Sequence, residues 1–371
     1  MFVYIAICLS LLFPLYLQRR SERLGLPLEK TPLAICCLIL FFLFAMRGEM
    51  VGVDTKHYCR VYRQFIDIPL QSVFSAPIYG SSASTWTFEF EPGYRLFNKL
   101  LTYLSGNSQT ITIAIAILIY IPLYLFIYRG SPNAWLSIWL FVTLGIFQTD
   151  MNVSRNAVSI FLCYLALPLI RERRLVSYIV VVLLASAIHQ SALLFLPVYF
   201  LIRFFPLNGR RMMLIFAVAL LIGVNFTVFG RAIQSYVPAK YVKYLISTNT
   251  KLVAIAVGAF DVLVLLLSLL MLKREERFGL TLQDPVGSWI FLLHISFFAL
   301  SLGFSAGARA AALFGPYLIV LIPQILERIG NSGRKRTATA LIAVLCFAQY
   351  AARMAINNIG GSIPYQFFWQ G

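Results

Sequence analysis

Charged residues are scarce in this chain, and acidic residues most of all. Only 12% of the 371 residues are charged, with 14 Asp and Glu against 31 Lys and Arg. Apolar residues make up 60% of the chain, which is more than a soluble domain can bury. Low charge and recurring apolar runs close to bilayer length exclude a soluble domain and predict an all-α, polytopic membrane helix bundle.

Cysteine and histidine are also rare, with six and three residues. The cysteines show neither a metal-binding spacing nor an obvious disulfide pair, and the dispersed histidines show no metal-ligand spacing. No P-loop, dinucleotide-binding glycine motif or G-x-S-x-G elbow occurs. Nucleotide-driven transport and serine hydrolysis are therefore unsupported, and we expect no metal and no cofactor.

The net charge of +17 has two explanations, nucleic acid or anionic lipid. In a chain this apolar, cationic loops that face anionic headgroups explain it better. We therefore expect membrane lipids as partners and no nucleic acid. Lys and Arg are more frequent in one set of alternating short loops, which assigns that set to the cytoplasm and both termini to the outside.

Twelve membrane spans are predicted from the apolar runs, in one polytopic domain over residues 1–371. Several runs are short for a full crossing, so tilted or re-entrant pieces are expected. The first run has basic residues after it and none before it, which predicts a retained helix and not a secretory signal. The spans cover residues 2–17, 32–46, 110–128, 134–149, 156–170, 175–188, 191–205, 212–230, 252–272, 286–304, 309–327 and 338–355.

The loop over residues 47–110 is the only large segment predicted outside the membrane. Two of its stretches have apolar residues at helical spacing, which predicts interfacial helices lying on the membrane. These residues are Tyr58, Val61, Tyr62, Phe65 and Ile66 in the first stretch, and Tyr94, Phe97 and Leu101 in the second.

Arginines stand at the ends of apolar runs on the side assigned to the exterior. Positive charge normally collects on the cytoplasmic side, so cations at the outer rim suggest an anionic ligand. An arginine can hold a phosphate through two hydrogen bonds, although snorkelling to lipid phosphates is the simpler alternative. These residues are Arg47, Arg155, Arg309 and Arg353.

Two acidic segments accompany these arginines in the long loop. Arg47 is followed by glycines and Asp54, which either form a ligand site or pin the loop through an ion pair. Glu91 stands before Pro92 and Gly93, where it is either a sugar ligand or general base, or part of a helix start.

His189 lies in an apolar run beside Gln190 and Ser191, at a predicted outer mouth. A histidine in such a run is more often a packing residue than a catalyst, but this position and these neighbours favour a role in a site. Asp261 lies mid-span without an obvious partner and predicts a polar cavity. His294 has no polar neighbour in its span and is assigned a structural role.

A basic loop between residues 226 and 251 carries four cations, interleaved with tyrosines, and no acid. This composition suits a phosphate together with sugar rings. The alternative is an aromatic belt with lysines that face lipid. The residues assigned as ligands are Arg231, Lys240, Tyr241 and Lys243.

Five segments follow one another along the chain: Arg47-x4-Gly52-x-Asp54-x3-Tyr58, Glu91-Pro92-Gly93-Tyr94, Arg155, His189-Gln190-Ser191-Ala192, and Arg309 with Tyr317. Their order and spacing resemble the EpsG family of bacterial exopolysaccharide polymerases, a branch of the Wzy-type O-antigen polymerases. The resemblance covers about residues 40–320. Family members often have Arg-Gln where this chain has Arg155-Asn156, so the side-chain amide is kept on a shorter side chain.

The resemblance implies an enzyme on the outer face of the bacterial inner membrane. It would move a growing glycan from undecaprenyl diphosphate onto the non-reducing end of another lipid-linked repeat unit, beside a flippase and a chain-length regulator. The energy is already in the glycosyl-diphosphate bond, so no nucleotide is needed. The acceptor hydroxyl needs a base, for which Asp54, Glu91 and His189 are candidates, a carboxylate being favoured.

The other roles follow from the charge of the diphosphate leaving group. Arg155 is assigned to stabilise the negative charge of the departing lipid diphosphate. A flippase or transporter is one alternative, but it would place ionisable groups near the midplane. An O-antigen ligase would share the same donor, and an acyltransferase would need a cytoplasmic donor. The expected ligands are Arg47, Arg231, Lys240, Lys243 and Arg309 for the diphosphate, and Tyr58, Tyr94 and Tyr241 for the sugars.

Overall fold

The computed structural model describes most of the chain, namely residues 2–13, 16, 30–79, 89–226, 252–270 and 284–370. Within these ranges the regular elements are helices, and an isolated bridge joins Arg47 to Phe367. The predicted all-α class is confirmed for the described residues. The chain divides into two compact units, Met1–Leu193 with Ala343–Gly371 and Leu194–Ile342, while the single domain over residues 1–371 stays a prediction.

The described part of the first unit contains nine α-helices and the C-terminal part of a tenth. They are α1 (Phe2–Ser10), α2 (Lys30–Ala45), α3 (Thr55–Asp67), α4 (Pro92–Thr102), α5 (Gln109–Gly130), α6 (Ala134–Thr143), α7 (Ile146–Asn152), α8 (Ser154–Arg171), α9 (Leu175–Ile188) and α16 (Ser332–Asn357). Helix α8 packs against both α5 and α9, and α2 packs against α5 and α6. The division between the two units falls inside α16.

The second unit is organised around one apolar helix. Its described helices are α10 (Leu196–Phe204), α11 (Gly209–Val224), α12 (Leu252–Leu270), α13 (Pro285–Leu300), α14 (Ser305–Phe314) and α15 (Leu318–Glu327). Helix α13 packs against α10, α11, α12 and α14. A small core forms around Leu207, Trp289 and Leu292, and the indole N–H of Trp289 donates to the carbonyl of Phe205 at 3.0 Å.

Asp261 on α12 and His294 on α13 form a buried pair in the second unit. Nε2 of the histidine lies 3.4 Å from a carboxylate oxygen, and its Nδ1 lies 2.9 Å from the carbonyl of Ala311. The sequence shows no obvious partner for Asp261, because His294 lies on another helix and leaves no local signal; the polar cavity stays a prediction. The pair joins α12, α13 and α14.

Three described helical segments are long and apolar enough to cross a membrane: Gln109–Gly130, Ala306–Glu327 and Ser332–Asn357. The second of them consists of α14 and α15 with the 3-10 helix Gly315–Tyr317 between them. Helices α6 and α7 together make a fourth candidate, but they are bent by 56° at a break between them. Gly145 lies in this break with a φ of 79°, a conformation that favours glycine. The twelve predicted spans are not confirmed, since several of the runs form only shorter apolar helices, namely Thr31–Ala45, Leu175–Ile188, Gln190–Phe204 and Pro285–Leu300.

The two helices predicted in the long loop are confirmed as α3 and α4. Helix α3 buries the apolar face formed by Tyr58, Val61, Tyr62 and Phe65, while Ile66 is exposed. The two helices pack against each other, and the Tyr62 hydroxyl donates to the carbonyl of Leu101 at 3.0 Å. Their location on the membrane surface stays a prediction.

Candidate functional site

Arg47 follows the end of α2 and is almost completely buried, with a relative exposure of 1%. Its guanidinium donates to the carbonyls of Phe44 at 2.6 Å and Met151 at 3.2 Å, and to the Ser154 hydroxyl at 3.1 Å. Burial lowers the pKa of Arg47 to about 10, so the side chain stays charged at neutral pH. Arg47 therefore binds the chain itself and ties the end of α2 to the junction of α7 and α8.

The loop after α2 is held by the C-terminal segment of the chain, which follows α16. The backbone N–H of Gly48 donates to the carbonyl of Gln366 at 2.8 Å, and that of Gly52 donates to the carbonyl of Gly361 at 3.1 Å. Gly52 has a φ of 90°, and a Cβ there would lie 2.9 Å from the carbonyl oxygen of Met151. The loop that leads to α3 is thus fixed by backbone contacts on both sides.

The start of α4 lies directly against the end of α9. Glu91 precedes Pro92, which is the first residue of α4 and needs no N–H partner there. A Cβ on Gly93 would lie 2.6 Å from the carbonyl oxygen and 2.7 Å from Cβ of Ala187, so only glycine allows this approach. The approach brings Glu91 next to His189, the residue that follows α9.

Glu91 joins the side chains of Arg155 and His189 through its two carboxylate oxygens. Oε2 lies 2.5 Å from Nη1 of Arg155, and Oε1 lies 3.0 Å from Nδ1 of His189. The backbone N–H of Gln190 also donates to Oε1 at 3.0 Å. The side chains of Glu91, Arg155 and His189 are 15%, 18% and 27% exposed, so the cluster is shielded but still reachable.

The contact with Glu91 decides which nitrogen of His189 carries the hydrogen. An ionised carboxylate can only accept hydrogen bonds, so Nδ1 is the donor. In the neutral imidazole Nε2 is then the acceptor, and no described residue hydrogen-bonds to it. His189 therefore presents a basic nitrogen on the side of the ring away from Glu91.

Aromatic rings surround the guanidinium of Arg155. Its central carbon lies 4.7 Å from the ring centre of Phe90, 4.9 Å from that of Tyr94 and 6.0 Å from that of Tyr58. Nε of Arg155 is buried and has no hydrogen-bond partner among the described residues. Stacking on ring faces holds a guanidinium in place without using its donors.

The charges in the cluster keep Glu91 ionised. Burial by itself raises the pKa of Glu91, but the hydrogen bond from His189, the charge of Arg155 and the Gln190 N–H together lower it to about 2. A carboxylate with so low a pKa is a weak general base. Glu91 therefore serves the site as a fixed negative charge and hydrogen-bond acceptor.

Asp54 acts on the same cluster from the start of α3. Its backbone N–H donates to Oδ1 of Asn152 at 3.0 Å, which links it to the end of α7. Burial raises the pKa of Tyr58 to about 12, and the negative charge of Asp54 adds to this rise while Arg155 opposes it. Tyr58 is therefore protonated at neutral pH and keeps its hydroxyl as a donor.

The family profile of EpsG matches residues 30–367, nearly the whole chain. The chain belongs to the EpsG family. EpsG is a family of Wzy-type exopolysaccharide polymerases, so a membrane-bound role in polysaccharide polymerisation follows from this membership. Comparison with curated proteins gives no match, and comparison with solved structures gives none.

In this EpsG protein the structure brings together six of the residues singled out in the sequence. Arg47 lies near the group and hydrogen-bonds to Phe44, Met151 and Ser154, and its role as a ligand stays a prediction. Arg309 lies on α14 in the second unit, where its side chain is exposed. The predicted ligands Arg231, Lys240, Tyr241 and Lys243 lie outside the described residues. The six residues of the group are Asp54, Tyr58, Glu91, Tyr94, Arg155 and His189.

Three members of the candidate site were not predicted from the sequence as site residues. Phe90 stacks on Arg155, and its position beside Glu91 was the only available signal. The Gln190 backbone N–H left no signal, because every residue except proline has one. The third is Asn156, whose Oδ1 accepts a hydrogen bond from the Ser191 hydroxyl at 2.8 Å.

Proposed function

We propose that this protein is a glycosyltransferase that polymerises undecaprenyl-diphosphate-linked repeat units on the outer face of the bacterial inner membrane. The observation that carries the proposal is one carboxylate, Glu91, that holds Arg155 and His189 at its two oxygens. A fixed cation and a base suit a diphosphate leaving group and an acceptor hydroxyl. Because both contact one carboxylate, they lie close enough to act on one reacting centre.

Arg155 would stabilise the departing diphosphate. Its guanidinium is largely shielded from water, and charge stabilisation is stronger in such surroundings than in solvent. The aromatic rings hold it in place before the substrate binds, so little reorganisation is needed during the reaction. The proposal gives the cationic role to arginine and needs no metal ion.

His189, oriented by Glu91, would be the general base. The acceptor hydroxyl gives its proton to Nε2 as its oxygen bonds to the anomeric carbon of the donor glycan. The bond from that carbon to the diphosphate oxygen breaks, and lipid diphosphate leaves with the electron pair. Glu91 then stabilises the protonated ring, as the carboxylate of a catalytic triad does. This assignment replaces the carboxylate base favoured from the sequence.

Two alternative functions are a flippase, which would differ in the step that it performs, and an O-antigen ligase, which would differ in its acceptor. A flippase would gain support from a cavity at Asp261 open to both sides of the membrane, whereas Asp261 is buried against His294. An O-antigen ligase would use the same donor chemistry, and membership of a polymerase family favours polymerisation over ligation. We further propose that the enzyme works with a flippase that supplies repeat units and with a chain-length regulator.

Replacement of Arg155 by lysine tests the cationic role. Arg155→Lys is expected to lower the polymerisation rate about 100-fold, almost as much as Arg155→Ala, because a point charge cannot both bond Glu91 and stack on Phe90. The rate would be measured in membranes with equal amounts of protein, as growth of the glycan ladder. Arg174→Lys is the matched control, since Arg174 is exposed and pairs only loosely with Glu172 at 3.6 Å. Full activity of Arg155→Lys would refute the proposed role.

A second experiment separates polymerisation from transport. In cells without this protein, we expect the long ladder to vanish while single repeat units accumulate on the carrier facing outward. Accumulation facing the cytoplasm would replace the polymerase with a flippase.

A further inference from the structure

Asn156 and Ser191 form a polar pair at the edge of the cluster. The Ser191 hydroxyl donates to Oδ1 of Asn156 at 2.8 Å, and both side chains are partly exposed. This bond uses the hydroxyl hydrogen and one amide oxygen. The amide N–H group of Asn156 has no hydrogen-bond partner among the described residues, and the serine oxygen keeps its lone pairs. The pair thus presents a donor and an acceptor side by side.

The position of the pair connects it with the acceptor side of the site. Asn156 follows Arg155 on α8, and Ser191 lies two residues after His189. Glu91 separates Arg155 on its Oε2 from His189 on its Oε1, so the cluster has a cationic side and a basic side. Through Asn156 the polar pair adjoins the cationic side, and through Ser191 it belongs to the 3-10 helix (Gln190–Phe195) that follows the base. A neighbouring donor and acceptor match the adjacent hydroxyls of a sugar ring, each of which both donates and accepts.

We propose that Asn156 and Ser191 form the subsite for the terminal sugar of the acceptor glycan. They bind the hydroxyls beside the one that attacks and so aim the attacking oxygen at Nε2 of His189. This inference rests on the proposed function and extends it by dividing the site. The diphosphate of the donor lies at Arg155, and the acceptor sugar lies at the polar pair.

The hydrogen bond of the pair also joins α8 to the 3-10 helix after α9. The test must therefore distinguish binding of a sugar from this purely structural role. Loss of that role would disturb Arg155 and His189 together, because the two sides share Glu91. Loss of a sugar contact would weaken binding of the acceptor alone. The two roles therefore predict different changes in the KM values of donor and acceptor.

The test uses two substrates prepared from the host's own repeat unit. The donor is the lipid-diphosphate-linked unit with its attacking hydroxyl methylated, so that it cannot accept. The acceptor is the same unit as an alkyl glycoside without diphosphate, so that it cannot donate. The full-length enzyme in detergent is assayed for transfer between the two, and its Tm is measured in parallel.

Ser191→Ala is expected to raise the KM for the acceptor about tenfold, which corresponds to the loss of one hydrogen bond, with the donor KM and the Tm unchanged. Asn156→Ala should show the same split, and Ser191→Thr should restore the acceptor KM. Ser186→Ala is the matched control, because that hydroxyl donates only to the carbonyl of Leu183 on the same helix.

An equal rise of both KM values, a fall in Tm with them, or no change would overturn the subsite. If the wild-type enzyme transfers nothing between the two substrates, it is the proposed function that fails, since the subsite variants play no part in that result.

Discussion

Glu91 contacts both Arg155 and His189, and the lowered pKa of its carboxyl makes these contacts measurable. The lowering from the ordinary 4.5 to about 2 stabilises the fold above pH 4.5, and this contribution is lost as the pH falls from 4.5 towards 2. Glu91→Gln is therefore expected to lower the Tm at pH 7, with a difference from wild type that narrows below pH 4.5.

Thermal unfolding of the purified protein between pH 7 and pH 3 would measure this difference. Glu327→Gln is the control, because its partner Lys335 and Glu327 itself are 35% and 50% exposed and an exposed pair contributes little. A difference that stays constant down to pH 3 would show that Glu91 does not hold its charge through Arg155 and His189.

At the scale of helices, the site depends on how closely α4 approaches α9. Gly93→Ala would place a methyl group against the backbone of Ala187 and push the start of α4 away, which separates Glu91 from His189. We expect a lower Tm and a polymerisation rate reduced by at least tenfold, in line with the sensitivity of catalysis to small displacements.

Gly106→Ala is the matched control for this variant, since the nearest atom to its Cβ would be Cδ1 of Ile66 at 4.0 Å. Wild-type activity in Gly93→Ala would mean that the α4–α9 contact does not position the site.

Helix-scale features were predictable where the signal is local. The spacing of Tyr58, Val61 and Tyr62 predicted α3, and Pro92 after Glu91 predicted the start of α4. The break at Gly145 was not predictable, because an isolated glycine in an apolar run gives no indication of its φ. The hydrogen bonds of Arg47 to Met151 and Ser154, at the junction after that break, were therefore not predictable either, and its role as a ligand stays a prediction.

At the scale of the whole chain, the C-terminal segment returns to the loop after α2. Its hydrogen bonds to that loop, such as the one from Gly48 to Gln366, run between backbone groups, which every residue has and which leave no pattern in the sequence. The consequence concerns topology. Since Gln366 contacts the loop that leads to the site, we expect the C-terminal segment and the site to lie on the same side of the membrane.

This topology can be tested by labelling, because all six native cysteines are buried. A single cysteine introduced by Gln366→Cys is exposed, and we expect a membrane-impermeant maleimide to label it in intact spheroplasts. Ser332→Cys, at the other end of α16, is the control and should be labelled only after permeabilisation, because α16 is long and apolar enough to cross the membrane. Labelling of Gln366→Cys only after permeabilisation would place the site in the cytoplasm and end the outer-face proposal. Labelling of both variants from outside would instead show that α16 does not cross, which would remove the last predicted span but leave the site on the outer face.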